Sequence, residues 1–282
     1  VLKRVFQAGI LSYGLAVCGY LLARWIVGER WNWIAFVNNF VPWLAFVALI
    51  AGFVALFTRW RWLLLSLQLP ILILFFSFYR EMLWPRSHPI PNGIEITAAN
   101  FNIQSGATEP HDILRAIKTL DADILGLEEV SPSDSHWIEQ DLAAEYPYRV
   151  AFGTGETYGI ALLSRYPILS EEVFDPAHGY VRLLRATLDI EGISVMVYLI
   201  HPPMPGSTFT NYDAHWRSRY VDMLRKRLAE ESGPVLVLCD CNMTDQSDDY
   251  RALDDLAIDS FREAGWGMGF TFPNKKMYPR LI

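Results

Sequence analysis

Val235-Leu-Val-Leu-Cys-Asp-Cys-Asn-Met-Thr244 is the stretch that decides how the rest of the chain is read. Gly233-Pro234 punctuates, and the run Val235 to Leu238 then has the form of a strand buried on both faces. A short apolar run bounded by turn residues must be covered by other layers. It ends in a carboxylate and an amide, Asp240 and Asn242. Side chains two apart on a strand point to one face, so both reach a point just beyond its end. The plain alternative is an Asx turn closing a strand, since Asp and Asn are ordinary turn residues. Polar residues elsewhere in the chain weigh against it.

Working outward, the 282 residues divide by composition. Between Val5 and Tyr79 long runs are almost free of charge, and from Pro89 onward the sequence alternates as in a water-soluble domain. Before residue 88 there are 8 Lys/Arg against 2 acids, net +6; from there on 16 stand against 29, net −13. A domain this acidic repels DNA and RNA at long range, because nonspecific nucleic-acid affinity comes from Lys and Arg neutralising phosphates. A nucleic-acid partner is therefore not expected unless a cation or a local basic patch offsets the field.

Val5–Val27, Phe40–Thr58 and Trp62–Tyr79 predict three transmembrane helices, each near the length that crosses about 30 Å of hydrocarbon at 1.5 Å per residue. Tryptophans such as Trp25, Trp31, Trp60 and Trp84 cluster at the borders, as interfacial tryptophans do. Asn38, Asn39, Gln68, Pro42 and Pro70 are blemishes that neighbouring helices can satisfy. Lys3, Arg4, Arg59 and Arg61 favour the cytoplasm, which leaves everything after the third crossing outside; Arg24, Arg30, Arg80 and Arg86 oppose that orientation. The expected organisation is a membrane region over 1–86 with spans near 5–27, 40–58 and 62–79, a proline-stiffened linker over 87–93, and a folded domain over 94–282. Of the 3 cysteines, Cys18 lies in an apolar run. Cys239 and Cys241 stand two apart on the predicted strand, where side-chain directions disfavour a bridge, and packing is their expected use.

The domain reads as alternating layers. Ile94–Ile103 is a strand with polar residues at its end, Glu109–Leu120 a helix with Thr108 as N-cap, Asp123–Val130 a second buried strand and Ser135–Tyr146 a second helix. Strands follow at Arg149–Phe152, Gly159–Ser164, Ile168–Phe174, Leu183–Ile190 and Ile193–Ile200, the last two joined by a Glu191-Gly192 hairpin turn. Asn211–Glu231 is a long helix. Hairpins mixed with strand-helix units fit two packed sheets with helices outside.

Four strand ends carry polar groups: Asn102, Glu129, His201, and the pair Asp240 and Asn242. Singly, each has an ordinary explanation as a turn former, a solvated charge or a backbone-satisfied histidine. Together they supply two carboxylates, two amides and an imidazole. That set suits Mg²⁺-assisted attack on a phosphate ester, with oxygen ligands holding the ion and neutral donors gripping phosphoryl oxygens.

At these residues the sequence resembles the endonuclease/exonuclease/phosphatase superfamily. The matching stretches are Ala99–Ile103, Ala122–Val130, Gly159–Pro167, His201-Pro-Pro203, Cys239-Asp-Cys-Asn242, and Asp259-Ser260 followed by Gly269-Phe-Thr271, in the family's order. The resemblance implies a four-layer α/β sandwich with a divalent metal, Mg²⁺ or Mn²⁺, at the sheet ends. It also implies roles: Glu129 as principal metal ligand, Asn102 steadying the site, and His201 holding the scissile phosphate. Asp240 would orient or deprotonate the attacking water beside the metal, and Asn242 would hydrogen-bond the phosphate. The family's usual Gly-Asp-Phe-Asn is Cys-Asp-Cys-Asn here, which keeps both reactive groups. The family continues into an Asp-Tyr-Ile strand and a Ser-Asp-His segment, whereas this sequence stops at Pro279-Arg-Leu-Ile282, so a continuation beyond Ile282 is expected.

The layout is similar to bacterial membrane-anchored members, including the type associated with glycopeptide-antibiotic resistance. It implies a multi-pass protein of a bacterial plasma membrane whose catalytic domain faces outward and hydrolyses a phosphate ester, lipid-linked or extracytoplasmic. The lipid bilayer is then its first partner. The rival expectation is an inactive homologue that serves as a structural subunit of a membrane complex, docking through its spans; a nuclease comes third because of the −13 charge.

Overall fold

The computed structural model describes residues 2–84, 93–104, 106–155, 158–174 and 183–272. The predicted linker, Gly93 apart, and the final Pro279–Ile282 lie outside the described residues. The chain divides into two compact units, one drawn from Val1–Ile90, Gly206–Ala214 and Met243–Ile282, the other from Pro91–Pro205 and His215–Asn242.

In the first unit the apolar N-terminal sequence forms α1 (Leu2–Val27), α2 (Asn32–Asn38), α3 (Val41–Ala55) and α4 (Arg61–Tyr79). The helices of α1 and α4 are long and apolar enough to cross a membrane; α2 and α3, bent by 67°, reach that length only as a pair. Within the predicted span over 40–58 lies a 15-residue helix, with a bend before it. Its cause is local. Asn38 accepts from the Tyr20 hydroxyl at 2.6 Å and donates to Glu29 Oε1 at 2.7 Å, while Pro42, which has no N–H, opens the next helix. The helices meet through small residues: Ala45 and Ala48 are buried with Val17, Tyr20 and Ile71, and a Cβ on Gly14 would stand 2.7 Å from Leu67. Phe53, Ile73 and Leu22 remain exposed on the outer faces.

The second unit is an α/β sandwich of four layers. One sheet has the order β1-β2-β4-β3, from β1 (Ala98–Asn102), β2 (Ile124–Glu128), β3 (Tyr148–Phe152) and β4 (Ile160–Ser164). The other has the order β5-β6-β7-β8, from β5 (Ile168–Phe174), β6 (Leu183–Ile190), β7 (Ile193–Ile200) and β8 (Val235–Cys239). The sheets face each other through Ile124, Ile160 and Leu162 on one side and Leu184, Leu188, Val197, Leu199 and Leu238 on the other. On the outer face of the first sheet, α5 (Pro110–Leu120) and α6 (Pro132–Asp141) bury Ile113, Ile117 and Ile138 against Leu125, Leu127 and Leu163. The helix α7 (His215–Leu228) buries Tyr220, Val221, Leu224 and Leu228, the stripe expected of a helix lying on a sheet. Just beyond it Glu231 accepts from Tyr198 at 2.6 Å and from Arg185 at 2.9 Å, tying the chain to β6 and β7.

Helix α6 starts and ends earlier than the predicted Ser135–Tyr146. Ser131 and Asp134 form a capping box that nucleates it at Pro132. Residues predicted to begin the long helix at Asn211 instead belong to the first unit, where the Tyr212 hydroxyl accepts from Asn39 at 3.1 Å and Phe36 rests on Phe209 and Tyr212.

The first unit is completed by α8 (Asp248–Asp254) and α9 (Ser260–Ala264). Arg24 donates to the Gln246 carbonyl at 3.1 Å and to its Oε1 at 3.2 Å; the Tyr79 hydroxyl donates to Asp245 at 2.6 Å; Arg262 donates to the Phe78 carbonyl at 2.6 Å. The lone charge of the first predicted span, Arg24, is therefore bonded within its own unit.

Candidate active site

Topology explains why residues far apart in sequence meet. Strand β2 lies parallel to β1 with Glu128 opposite Asn102, and β8 lies parallel to β7 with Cys239 opposite Ile200. Asn102, Glu129, His201 and Asp240 therefore all leave C-terminal strand ends, two in each sheet, at the edge where layered α/β folds bind ligands.

Hydrogen bonds join the sheets there. The Asn102 amide nitrogen donates to Glu129 Oε1 and to Asp240 Oδ2, both at 2.9 Å, so its two protons serve two carboxylates. Its Oδ1 accepts from the Gln104 N–H at 2.9 Å, which fixes the remaining polar atom. Glu129 has φ of 58°, outside the strand region, and turns off the ladder directly after β2. Such a backbone is costly for an ordinary residue and recurs at functional sites.

Asp240 is held from several directions. Its N–H donates to Glu128 Oε1 at 3.0 Å, and Oδ1 accepts the Asn242 N–H at 3.3 Å. His201 Nε2 lies 3.9 Å from Asp240 Oδ2 and 3.3 Å from the Asn242 amide nitrogen. That amide also donates to the Pro202 carbonyl at 3.0 Å. Asn242 has φ of 49°, a left-handed turn that asparagine tolerates. All five residues singled out from sequence are brought together by these bonds.

Three features were not foreseen. Glu128 is fully buried, and burial pushes its carboxyl up to about 8; hydrogen bonds from Asn100 and the Asp240 N–H act the other way, and the charges of Asp240 and Glu129 add to the rise. That shift favours its protonated form near neutrality; the side chain lies beneath Asp240, and among the described residues its Oε2 has no hydrogen-bond partner. Arg217, 1% exposed, donates to the Asn242 carbonyl at 3.2 Å; its helical position gave no sign of this. Finally, Cys239 and Cys241 form a disulfide with Cα atoms 5.1 Å apart, contrary to the expectation of two packed thiols. That expectation assumed a strand through Cys241, but the ladder ends at Cys239 and the left-handed turn at Asn242 follows.

Among the described residues no group of three or more His, Cys, Asp or Glu side chains is arranged to hold a metal. Mg²⁺ does not require one, because it keeps several waters and is commonly bound through one or two carboxylates. Glu129 and Asp240, facing each other across one amide nitrogen, fit that chemistry.

Residues 99–281 match the Endonuclease/Exonuclease/phosphatase family, and the chain belongs to it. The family is one of phosphoester hydrolases, and all five candidate residues fall inside the matched range. No curated protein sequence matches the chain. Solved structures with a similar fold include truncated TDP2 from Caenorhabditis elegans, at 22% identity and TM-score 0.44, covering 54% of this chain and 64% of that one. Sphingomyelinase C from Streptomyces griseocarneus is similar at 19% identity and TM-score 0.46, covering 56% and 68%. A 3′ phosphatase, NExo, from Neisseria, bound to a product DNA hairpin, is similar at 16% identity and TM-score 0.48, covering 60% and 74%. The chain spans a little under two thirds of the first of these structures.

Proposed function

We propose that this protein is a membrane-anchored, divalent-metal-dependent phosphoesterase that hydrolyses a lipid-linked or extracytoplasmic phosphate ester. The observation that carries the reading is the pairing of Glu129 and Asp240 through the single amide of Asn102. Two carboxylates held this way by a neutral donor form an acceptor pair whose charge calls for a cation.

Bound there, Mg²⁺ or Mn²⁺ would supply positive charge that offsets the negative charge built up at the phosphoryl group during attack. The chain's own groups do the rest. Glu129 and Asp240 would hold the ion, and Asn102 keeps the two carboxylates in register. Asp240 orients a water and takes its proton as the oxygen approaches phosphorus. The Asn242 amide and His201 bind phosphoryl oxygens, and Arg217 fixes Asn242 through its carbonyl.

The substrate class follows from the anchor and the charge. Helices long and apolar enough to cross a membrane keep the domain beside lipid head groups at high effective concentration, while the net charge of −13 after residue 88 disfavours DNA and RNA.

The test is hydrolysis by purified full-length protein of lipid phosphodiesters and lipid pyrophosphates with Mg²⁺ or Mn²⁺. Glu129→Gln and Asp240→Asn are expected to lower kcat by roughly 10²–10⁴-fold. Absence of hydrolysis of every such lipid, or full activity in both variants, rejects the proposal.

A further inference from the structure

The family's Gly-Asp-Phe-Asn is Cys-Asp-Cys-Asn in this chain, and the structure turns that difference into a covalent bracket. The Cys239–Cys241 disulfide encloses one residue, Asp240. Cys239 is the last residue of the ladder, so one end of the bracket is fixed to β8. The other end leads into Asn242, whose backbone N–H and amide reach Asp240, His201 and Pro202. Both cysteines are only half-buried, within reach of a small thiol.

We propose that this disulfide is a positioning element for Asp240 and Asn242, and that its thiol–disulfide state sets the turnover of the site. The inference rests on the reading of Asp240 as a working group of a phosphoesterase. Without the bridge, the Asp240 carboxylate keeps its hydrogen bonds to Asn102 and Asn242 on a backbone that has lost its one covalent restraint after the strand. A misplacement of about 1 Å at a reacting group costs up to roughly a hundredfold in rate. A bridge spanning one residue closes a very short loop, and stabilisation by chain entropy is smallest for short loops. Its effect therefore falls on local geometry more than on global stability.

The chemistry balances with a small-molecule disulfide such as oxidised glutathione. One cysteine thiolate attacks it, breaking its S–S bond and releasing one thiol. The second cysteine then displaces the other thiol as the protein S–S bond forms. Two protons and two electrons pass to the oxidant, which leaves as two thiols. The bridge persists in oxidising compartments and opens in reducing ones, so an outward-facing domain would carry it closed.

The experiment uses full-length protein in detergent, equilibrated with oxidised glutathione or with a dithiol. Alkylation and mass measurement count the free thiols, and kcat, KM, Mn²⁺ affinity and the unfolding midpoint are read in each state. Oxidised protein is expected to take one label, at Cys18, and reduced protein three, one for each cysteine in the chain. Reduction is expected to lower kcat about tenfold at unchanged KM and to weaken Mn²⁺ binding about tenfold, with the midpoint nearly constant. The Cys239→Ser/Cys241→Ser double variant should match the reduced protein and ignore the dithiol. Three labels after oxidation, or equal Mn²⁺ affinity and kcat in the two states, overturns the proposal. If neither state hydrolyses any phosphoester, the phosphoesterase reading fails, while the Mn²⁺ comparison still decides whether the bridge shapes the site.

Discussion

The backbone N–H of Asp240, in the turn after β8, donates to Oε1 of Glu128, the last residue of β2, at 3.0 Å. A buried acid on one sheet thus sets the height of a carboxylate emerging from the other. Because burial pushes Glu128 up to about 8 from an ordinary 4.5, between those values the folded chain keeps a proton that the unfolded chain has released. Stability of the metal-free protein therefore falls as pH rises through that window. Glu128→Gln, which keeps an acceptor without the titration, is expected to flatten the fall. Unfolding midpoints from pH 5 to 9 in a chelator check this, and parallel curves for the two proteins contradict it.

Asn102 spends both amide protons on Glu129 and Asp240. Removing it in Asn102→Ala leaves the two carboxylates facing each other without the donor they share. The variant is expected to lose activity by roughly 10²-fold or more, and Asn102→Asp, which adds a third acid, to bind Mn²⁺ with a steeper pH dependence. Activity and calorimetric titration measure both.

Glu231 lies just beyond α7, where burial raises its carboxyl but hydrogen bonds from Arg185 and Tyr198 outweigh burial and hold it below the usual glutamate range. Its contribution to stability is present above the unfolded value and lost as pH falls through the folded one. Tyr198→Phe is expected to cost about 1 kcal/mol at pH 7, a difference that shrinks below the ordinary glutamate value of 4.5. Denaturant unfolding at pH 7 and pH 3 separates the two cases.

A chain shortened to residues 93–282 loses Arg24, Asn39, Phe78 and Tyr79, the partners of Gln246, Thr244, Arg262 and Asp245. Gln246 is buried, and a buried polar group deprived of its partners costs about 1–3 kcal/mol; Thr244, Asp245 and Arg262 are half-buried and cost less. The segment 243–272 is expected to be cut rapidly by protease in the shortened chain and to resist in the full one. Equal resistance would show that these bonds do not hold it.

A residue's neighbours in sequence decide whether its place in the fold can be read from the chain. Strands Leu183–Ile190 and Ile193–Ile200 were legible to the residue, because β-branched runs meet at Glu191-Gly192, whose φ angles of 52° and 87° make the tight turn the dipeptide announces. The convergence of Asn102, Glu129, His201, Asp240 and Asn242 was legible because a polar side chain at the end of an apolar strand has no packing reason to be there. Glu128 was not: of two adjacent acids, only the backbone turn at Glu129 decides which points inward. The bend between α2 and α3 was hidden because Asn38 has its partners, Tyr20 and Glu29, on other elements. The tie of Tyr212 and Gln246 to the N-terminal helices was hidden for the same reason, since long-range polar pairs leave no local pattern.

The central claim is that Glu129 and Asp240 share one divalent cation. Calorimetric titration of the full-length protein with Mn²⁺ tests it without any substrate. One ion per chain, with binding lost in both Glu129→Gln and Asp240→Asn while each variant keeps its unfolding midpoint, is the predicted result. Unchanged Mn²⁺ affinity in either folded variant would contradict it.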